Sequence, residues 1–290
     1  MKSTYLTNLL LLVVAVLLVW LMTESQTLKP NHYITDSIKP TQVTEIEIHR
    51  REQQTIRLQL DQQWQLIQPA MARANQTRIK LLLSLLEQPV QQPPIPVTNK
   101  TKLTDFGLEQ PNLILSFNQL HFAFGKSESL SGSRYILHNQ QIFLIDDDIS
   151  PLLSASASSF VDNRLVDPAI TIRALHLPEL LDGKAQQQYP ELSVYQHNTR
   201  WLSKPENHAQ DKLLALLQNW QQAYAMQVVI LSETFISENN PVVMIDLADN
   251  TQRKFVVTHS EDGLTLTDPK QQLQYQFPAA ITDALFSISN

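Results

Sequence analysis

The strongest constraint on the fold is a long pattern that occurs twice. A tryptophan, a proline, a polar stretch and a leucine-rich segment read WQLIQPAMARANQTRIKLLLSLLEQ from Trp64 and WLSKPENHAQDKLLALLQNWQQ from Trp201. A proline then opens a following strand in both copies, at Pro111 and Pro241. A shared order of elements over more than half of the chain predicts two copies of one α+β unit.

The first unit is predicted to span residues 41–153. The segments VTEIEIHR and TIRLQL alternate apolar and polar residues, and with QWQLIQP they predict a three-stranded meander. Residues 73–87 change to helical spacing, and an apolar stripe is formed by Ile79, Leu82, Leu83 and Leu86. LTDFGLEQP predicts a helical turn closed by Gly107, before the strands NLILSF and HFAFG. RYILHNQQIFLID predicts a hairpin that turns at Asn139 and Gln140.

The second unit is predicted to span residues 160–290, after a serine-rich seam at Ser154–Ser159. AITIRAL, LSVYQ and TRWLSKP predict strands, and the helix that follows has a stripe of Leu213, Leu216, Leu217, Trp220 and Tyr224. PVVMIDL, RKFVVTH, GLTLTD and LQYQF predict four more strands. The fold class expected is α+β, with each unit an antiparallel β-meander sheet packed by one main helix. Trp64 and Trp201 are expected to fill the two cores, and a sugar-stacking platform is the alternative.

The N-terminus predicts a membrane anchor. Residues 5–22 carry no charge, and as a helix they would span about 27 Å, close to the thickness of a bilayer core. Lys2 precedes this run, so residues 1–4 are expected in the cytoplasm and the bulk of the chain outside it. Residues 23–40 are polar and aperiodic and predict a tether. The alternative is a cleavable signal peptide, since the strictly apolar run from Leu9 to Met22 has the length of a signal core.

Composition argues against several functions. The net charge of -6 argues against nucleic-acid binding, and the absence of cysteine excludes disulfides, thiolate metal sites and cysteine nucleophiles. Only five glycines occur, which leaves little material for phosphate-binding loops or nucleophile elbows.

Three local patterns resemble sites but fit structural roles better. GKSES at Gly125 lacks the first glycine of a phosphate-binding loop, so it predicts a turn between strands. The run Asp146–Asp148 lacks the alternate spacing of a calcium loop and predicts a solvated strand end. His197 and His208 do not form a zinc-type pair and are expected to be surface residues. We therefore predict no catalytic, cofactor-binding or metal-binding residues and no cofactor.

The segments QWQLIQP, the leucine helix, LTDFGLEQPNLILSF, RYILHNQQIFLID and FVDNRLVDPAITIR resemble a bacterial family known as domain of unknown function 4340. The resemblance implies an N-terminal anchor, an exported domain and, for some members, association with ABC-type export or gliding-related envelope systems. It carries no established catalytic residues. In the second copy VILSETFISENNP replaces the segment that contains Gly107, and the resemblance is weaker there.

These observations favour a non-catalytic inner-membrane protein with its bulk in the periplasm. The expected role is an accessory or scaffold subunit of an envelope or ABC-type transport assembly, with the membrane contacted through residues 5–22 and a membrane or envelope protein as partner. The alternative is binding of a glycan or exported substrate in a cleft between the two units. An uncharacterised hydrolase is the third hypothesis.

Overall fold

A computed structural model describes residues 12–16, 33–90, 92–181, 188–233, 240–260 and 263–288. Most of the predicted anchor and the first part of the predicted tether lie outside these ranges. Residues 12–16 are helical. No helix within the described ranges is both long enough and apolar enough to cross a membrane.

Short strands make up most of the described chain. They are β1 (Glu45–Arg50), β2 (Ile56–Leu60), β3 (Trp64–Gln68), β4 (Ala72–Arg73), β5 (Ile95–Pro96), β6 (Leu113–Phe117), β7 (Leu120–Ser127), β8 (Arg134–His138), β9 (Gln141–Ile145), β10 (Ile172–Leu177), β11 (Leu180–Leu181), β12 (Gln188–Tyr189), β13 (Leu192–His197), β14 (Arg200–Lys204), β15 (Gln227–Ile230), β16 (Val242–Leu247), β17 (Gln252–Ser260), β18 (Gly263–Asp268) and β19 (Leu273–Phe277). Every predicted strand is present, whereas β4, β5, β11, β12 and β15 were not predicted.

Apart from the helical residues 12–16, the described part of the chain contains four short α-helices. They are α1 (Gln76–Leu83), α2 (Ser150–Leu153), α3 (Gln210–Gln222) and α4 (Ile281–Phe286). Turns of 3₁₀ helix lie at Pro40–Gln42, Ser84–Glu87, Leu103–Phe106 and Ala157–Phe160. The helix predicted over residues 73–87 therefore begins three residues later and finishes as a 3₁₀ turn.

The fold is mixed, with mostly antiparallel sheets and few helices, as the sequence predicts. Two large sheets fit the two predicted tandem units, and β11 and β12 form a separate hairpin. The chain also divides into two compact units, and their boundaries are not those of the two large sheets. Unit 1 comprises Met1–Gln42, Leu83–Asn112 and His121–Asp148, and unit 2 comprises Val43–Leu82, Leu113–Leu120 and Ile149–Asn290. The boundaries 41–153 and 160–290 stay a prediction.

Strand order recurs along the chain. In unit 2 the order β3-β2-β1-β6 has the same connectivity as β14-β13-β10-β16, and β4 extends the first series at β3. In unit 1 the order β7-β8-β9-β5, taken from His121, has the same connectivity as β17-β18-β19-β15 in unit 2. A helix follows β3 and β14, the two strands that carry the repeated tryptophan.

The two main helices bury their predicted apolar stripes except at Leu83, which is partly buried, and at Tyr224. Ile79 and Leu82 of α1 are buried, and so are Leu213, Leu216, Leu217 and Trp220 of α3. Tyr224 was predicted to extend the second stripe, but it is 56% exposed. The reason is that α3 ends at Gln222, so helical spacing no longer places residue 224 on the buried face.

The repeated tryptophans differ in burial. Trp64 is 6% exposed and belongs to the core, as predicted. Trp201 is only partly buried, so the prediction that it fills the second core is wrong. Trp220 is fully buried there instead. Its indole Nε1 donates to the Leu285 carbonyl at 2.7 Å, and its ring meets Phe286 edge-on at 5.7 Å.

The predicted turns of the first copy are confirmed. Asn139 and Gln140 connect β8 to β9 with φ of 47° and 60°, the left-handed conformations of a two-residue hairpin. Gly107 closes the 3₁₀ turn Leu103–Phe106 with φ of 68°. A Cβ on Gly125 would lie 2.3 Å from the Phe106 carbonyl oxygen, so this position of β7 accepts only glycine without a shift of the backbone.

Part of the predicted tether is packed. Tyr33 forms a bridge with Pro89 in unit 1, and Ile34 and Thr35 are buried. Apolar–polar alternation does not predict this packing, because only a few apolar residues of the segment, Tyr33 and Ile34 among them, make the contact. Residues 33–37 therefore contribute to the body of unit 1.

Candidate functional site

Unit 1 contains a cavity of about 430 Å³. It is lined by Tyr33, Ile34, Thr35, Asp36, Ser37, Pro94, His138, Asn139, Gln141 and Phe143. We call it the His138 cavity. Its volume lies in the lower part of the range of small-molecule sites in proteins, about 300–1,000 Å³.

Three segments bring these residues together. The β8–β9 hairpin supplies His138, Asn139 and Gln141, and β9 also supplies Phe143. β5 pairs with β9 through Ile95 and Ile142, which places the preceding Pro94 at the cavity. The segment 33–37 is held by the Tyr33–Pro89 bridge and by the Ser37 N–H, which donates to the Thr35 hydroxyl at 3.2 Å. The cavity thus has the paired strands β5, β8 and β9 on one side and residues 33–37 of the predicted tether on the other.

Burial divides the lining into two groups. The buried group is Ile34, Thr35, His138 and Phe143. The exposed group is Tyr33, Asp36, Ser37, Asn139 and Gln141. A small apolar interior beside a ring of polar groups is the usual construction of a ligand site.

His138 is the central polar group. Its side chain is 3% exposed, and its ring is stacked on Phe122 with the centroids 4.2 Å apart and the planes 14° apart. Nδ1 lies 2.9 Å from the His121 carbonyl oxygen, which can only accept. Nδ1 must therefore carry the proton, and in the neutral ring Nε2 is an acceptor.

Nε2 of His138 is buried and has no hydrogen-bond partner. Water cannot reach this atom, so it does not face the open space of the cavity. Burial lowers the pKa of His138, the hydrogen bond to the His121 carbonyl partly opposes this, and the charge of His121 lowers it further. The ring is thus held neutral with its acceptor free.

The electrostatic character of the cavity is weakly acidic. Asp36 is the one charged side chain in the lining, and no lysine or arginine is among the ten residues. The exposed amides of Asn139 and Gln141 can exchange hydrogen bonds with a bound molecule. It offers no cation that would pair with an anionic group.

Two of the local sequence patterns, GKSES at Gly125 and the run Asp146–Asp148, lie in unit 1 outside the His138 cavity. Gly125 is part of β7, which continues to Ser127, so the turn predicted over GKSES is wrong for residues 125–127. The turn follows from Glu128, whose carboxylate accepts from the Leu130 and Ser131 N–H groups. The Asp147 carboxylate lies 2.6 Å from Nε of Arg134, and its side chain is 13% exposed. The prediction of a solvated strand end is therefore wrong for Asp147, because an ion pair covers it.

The two histidines singled out from the sequence lie in unit 2. His197 ends β13 and is exposed, whereas His208 is partly buried and its N–H donates to the Ser203 hydroxyl at 3.0 Å. The described residues contain no group of three or more side chains that could hold a metal ion.

A second cluster of polar contacts lies at the segment 160–170 of unit 2, which we call the junction. Arg73 of β4 and Asp162 form an ion pair at 2.9 Å, and their side chains are 15% and 13% exposed. The Arg73 guanidinium also donates to the Arg164 carbonyl at 2.7 Å. These are charge-assisted bonds in a largely buried setting, which is where such bonds contribute most.

The main chain of the junction bonds to two neighbours. The Asp162 N–H donates to the Arg73 carbonyl at 2.8 Å, and the Ala225 N–H donates to the Asn163 carbonyl at 2.9 Å. Burial raises the pKa of Asp167, but donation from the Ala169 N–H and from Gln63 Nε2, together with the arginine charges, brings the net pKa below its usual value. The junction is thus a built structural element and not a loose linker.

Sequence reasoning missed His138 and the segment 33–37. One signal for His138 was available. It follows Ile136 at the spacing of two that places both side chains on one face of β8, and Ile136 is fully buried. The cavity itself had no sequence signal, because Tyr33–Ser37 lie about 100 residues before the hairpin that they meet.

Comparison with known proteins gives one match. The family described as Domain of unknown function (DUF4340) matches residues 64–223, which is more than half of the chain. The matched region begins at the tryptophan of β3 and ends just after α3, so it includes the hairpin with His138 and the Arg73–Asp162 pair. No curated protein and no solved structure matches the chain.

Proposed function

The chain belongs to the family of domain of unknown function 4340, and we propose that it is a non-catalytic, ligand-binding module of the bacterial envelope. The proposed binding site is the His138 cavity. One observation carries this proposal: a cavity of about 430 Å³ is lined by a buried imidazole, buried apolar side chains and exposed amides.

The design of the cavity supports binding over a purely structural role. Exposed amides of Asn139 and Gln141 lie in the same lining as the buried side chains of Ile34 and Phe143. Apolar surface with a few polar groups is typical of small-molecule sites. The hairpin that carries His138 is also tightly defined, since its two turn residues have the left-handed conformation that the short connection requires.

The proposed location is the periplasmic side of an inner membrane, with residues 5–22 as a single-pass anchor. The uncharged run at residues 5–22 supports it. So does the exposure of apolar side chains in the helical stretch 12–16, where Leu12 and Val16 are each 62% exposed. Such side chains are covered favourably by lipid.

The test is recovery of a bound small molecule. The full-length chain and its His138→Phe variant are purified from membranes of the native host in mild detergent. Small molecules released by denaturation are then compared by mass spectrometry. We expect a compound that the wild type carries and the variant lacks. His197→Phe, the same substitution at an exposed histidine, serves as the matched control and should retain the compound.

Identical small molecules in wild type and His138→Phe would contradict the proposal. Circular dichroism of each variant shows whether the substitution has left the fold intact. If His138→Phe does not fold, Gln141→Leu, which changes an exposed lining residue, replaces it in the same comparison.

A second candidate function is that of an accessory subunit in an envelope or ABC-type transport assembly. Exposed apolar side chains next to the junction favour it: Met71 is 67%, Tyr224 is 56% and Met226 is 68% exposed. Methionine and tyrosine are common at protein interfaces because they are adaptable or amphipathic. Tyr224 forms a bridge with Arg164 of the junction. Met71 directly precedes β4, which carries Arg73.

Site-specific photo-crosslinking in intact cells tests this candidate. A photoreactive residue at position 224 should crosslink one envelope protein, and the product should disappear when Met71 and Met226 are changed to serine. The control is the same residue at Leu130, which is 97% exposed but lies in a turn of unit 1. Equal crosslinking from both positions would argue against a specific partner surface.

A further inference from the structure

We infer that one face of the second large sheet, in unit 2, lies against an anionic phospholipid bilayer. The inference rests on the proposed membrane location of the chain and is independent of the His138 cavity. Three properties of this face carry it: the strand register that collects its side chains, its unpaired cations, and the partly exposed apolar side chains between them.

Strand register places one row of side chains across five strands. His176 of β10 lies opposite Ser193 of β13 and Met244 of β16. The row continues to Lys204 of β14, which lies opposite Ser193. At its other end Lys254 of β17 lies opposite Met244. Residues that are directly opposite in antiparallel strands project to the same side, so this row is about 19 Å wide and has a lysine at each end. We call the side of the five strands that carries this row the basic face.

The basic face carries more positive than negative charge. Its lysine and arginine side chains are those of Lys204, Lys254 and Arg200, and all three residues are exposed. None of them forms an ion pair with a carboxylate of the described residues. The five strands contain one carboxylate, that of Asp246, and it accepts from Gln252 Nε2 at 2.7 Å. The whole chain has the opposite balance, with 28 acidic and 22 basic residues. Unpaired cations gathered on one face of an acidic protein indicate an anionic partner.

Apolar side chains lie between these cations. Tyr195 and Leu202 are opposite each other in the next row and, like Met244, are partly exposed, and Val242 is 36% exposed. Nζ of Lys204 lies 5.8 Å from the centroid of the Tyr195 ring. Tyrosine is enriched at membrane–water interfaces, and a lysine can rest its stem on apolar surface while its ammonium group contacts phosphates. Cations combined with a tyrosine and aliphatic side chains are typical of surfaces that bind anionic bilayers.

The proposed anchor favours a bilayer over an acidic protein as the partner. At most ten residues, 23–32, separate residues 5–22 from the packed segment 33–37, and ten residues span at most about 35 Å. The folded part of the chain therefore stays beside the membrane. An anionic membrane surface attracts lysine and arginine side chains that come within about 10 Å of it.

Quenching by labelled lipids tests the contact. The chain has no cysteine, so Leu202→Cys gives one site for an environment-sensitive fluorescent dye. The labelled full-length chain is reconstituted into vesicles that contain doxyl lipids and either phosphatidylcholine alone or phosphatidylcholine mixed with phosphatidylglycerol. We expect quenching to be about twofold stronger or more with phosphatidylglycerol, and to fall at high salt, because the attraction is electrostatic. The matched control is Leu214→Cys, at a position of α3 that is 50% exposed, where the two lipid mixtures should give equal quenching.

A charge variant tests whether the cations direct the contact. In the chain labelled at Leu202→Cys, the double substitution Lys204→Glu and Lys254→Glu should abolish the difference between the lipid mixtures. The control is Lys100→Glu with Lys102→Glu, which makes the same change of charge at two exposed lysines of unit 1 and should preserve the difference. Circular dichroism shows whether each variant folds. If the first double variant does not fold, the salt dependence of the wild-type charge pattern gives the same decision.

Each outcome separates the inference from the proposed anchor. If the chain floats with the vesicles but the dye at position 202 is quenched equally in both lipid mixtures, the inference is wrong and the anchor stands. If the chain does not float with the vesicles, the anchor and the inference fail together. A change in dye emission that solubilised envelope proteins produce and lipids do not would assign the basic face to a protein partner and overturn the inference.

Discussion

At the scale of single residues, His138 shows how one side chain can be fixed by its surroundings and still be incomplete. Stacking on Phe122 and donation to the His121 carbonyl hold the imidazole in one orientation and one tautomer. The acceptor that remains is the only part of the ring without a partner.

His138 should make stability depend on pH. Its pKa in the folded chain lies below the ordinary value of 6.5, because burial disfavours the charged ring. As the pH falls through 6.5 the unfolded chain takes up a proton that the folded chain does not. The free energy of unfolding should then fall, with a slope that approaches about 1.4 kcal/mol per pH unit for this one proton. Urea unfolding between pH 8 and about pH 5 measures it.

The control for this prediction is comparison of slopes between variants. His138→Phe should lose the contribution, whereas His197→Phe should keep it, because His197 is exposed. The difference between the two variants is the quantity to interpret. Equal slopes in wild type and His138→Phe would mean that the ring is not held neutral by the fold.

Gly125 should be intolerant of even the smallest side chain. A Cβ there would lie 2.3 Å from the Phe106 carbonyl oxygen and 2.9 Å from Cγ of Leu108, and the backbone group cannot move aside cheaply. We expect Gly125→Ala to lower the free energy of unfolding by about 1–3 kcal/mol. Gly132→Ala meets nothing within 4 Å and carries only the cost of φ of 74°, about 1 kcal/mol. Urea denaturation of the pair should rank them in this order, and the reverse order would refute the steric argument.

At the scale of elements, the junction is held by one ion pair that is largely buried. Asp162→Asn removes the charge that faces Arg73 and leaves the guanidinium without its anion. We expect a loss of about 2–3 kcal/mol in the free energy of unfolding, since breaking one side of a buried pair exceeds the value of the pair itself. Chemical denaturation with tryptophan fluorescence measures this loss.

The matched control is the surface pair of Arg57 and Glu45, whose side chains are 42% and 46% exposed. Glu45→Gln should cost less than about 1 kcal/mol, because water screens the interaction. If Glu45→Gln proved as costly as Asp162→Asn, burial would not be the property that gives the junction its strength.

The second core is expected to depend on Trp220 and not on the repeated Trp201. Trp220→Phe removes the bond from Nε1 to the Leu285 carbonyl and leaves a buried acceptor unpaired, so we expect a loss of about 2–3 kcal/mol. Trp201→Phe should cost less than about 1 kcal/mol, because the ring is only partly buried. Thermal unfolding of both variants gives the comparison, and a larger effect at Trp201 would restore the original prediction.

How much the sequence could predict also differs by element. Strands with clear alternation, such as β1 and β2, were predicted because one face is buried and the other is not. The two-residue strands β4, β5, β11 and β12 could not be, because they are too short for a period to appear. Trp201 was misplaced because a shared pattern specifies the order of elements but not the depth at which each side chain lies.

At the scale of the whole molecule, the family and the two large sheets agree with what the sequence predicts, whereas the His138 cavity could not be predicted from it. His138 and the segment 33–37 are far apart in the chain, and a cavity depends on which surfaces remain uncovered after packing. Periodicity reports only which face of an element is buried. The same limit applies to function, since no motif marks a cavity built from amides, an imidazole and apolar groups.

The proposed anchor gives a prediction for the complete chain. The double substitution Leu12→Glu and Val16→Glu should release the protein from membranes. Each charge at the centre of a spanning helix costs about 2.5–3.5 kcal/mol on insertion. Fractionation after alkaline extraction measures the release, and Leu130→Glu, in an exposed turn, is the control.

Reporter fusions test the orientation of the protein. Alkaline phosphatase fused to the C-terminus should be active, and green fluorescent protein fused there should not fluoresce, as expected for export. The mass of the purified chain separates the alternatives: loss of the first residues up to about Thr23 would show a cleaved signal peptide, while an intact N-terminus in the membrane pellet supports the anchor.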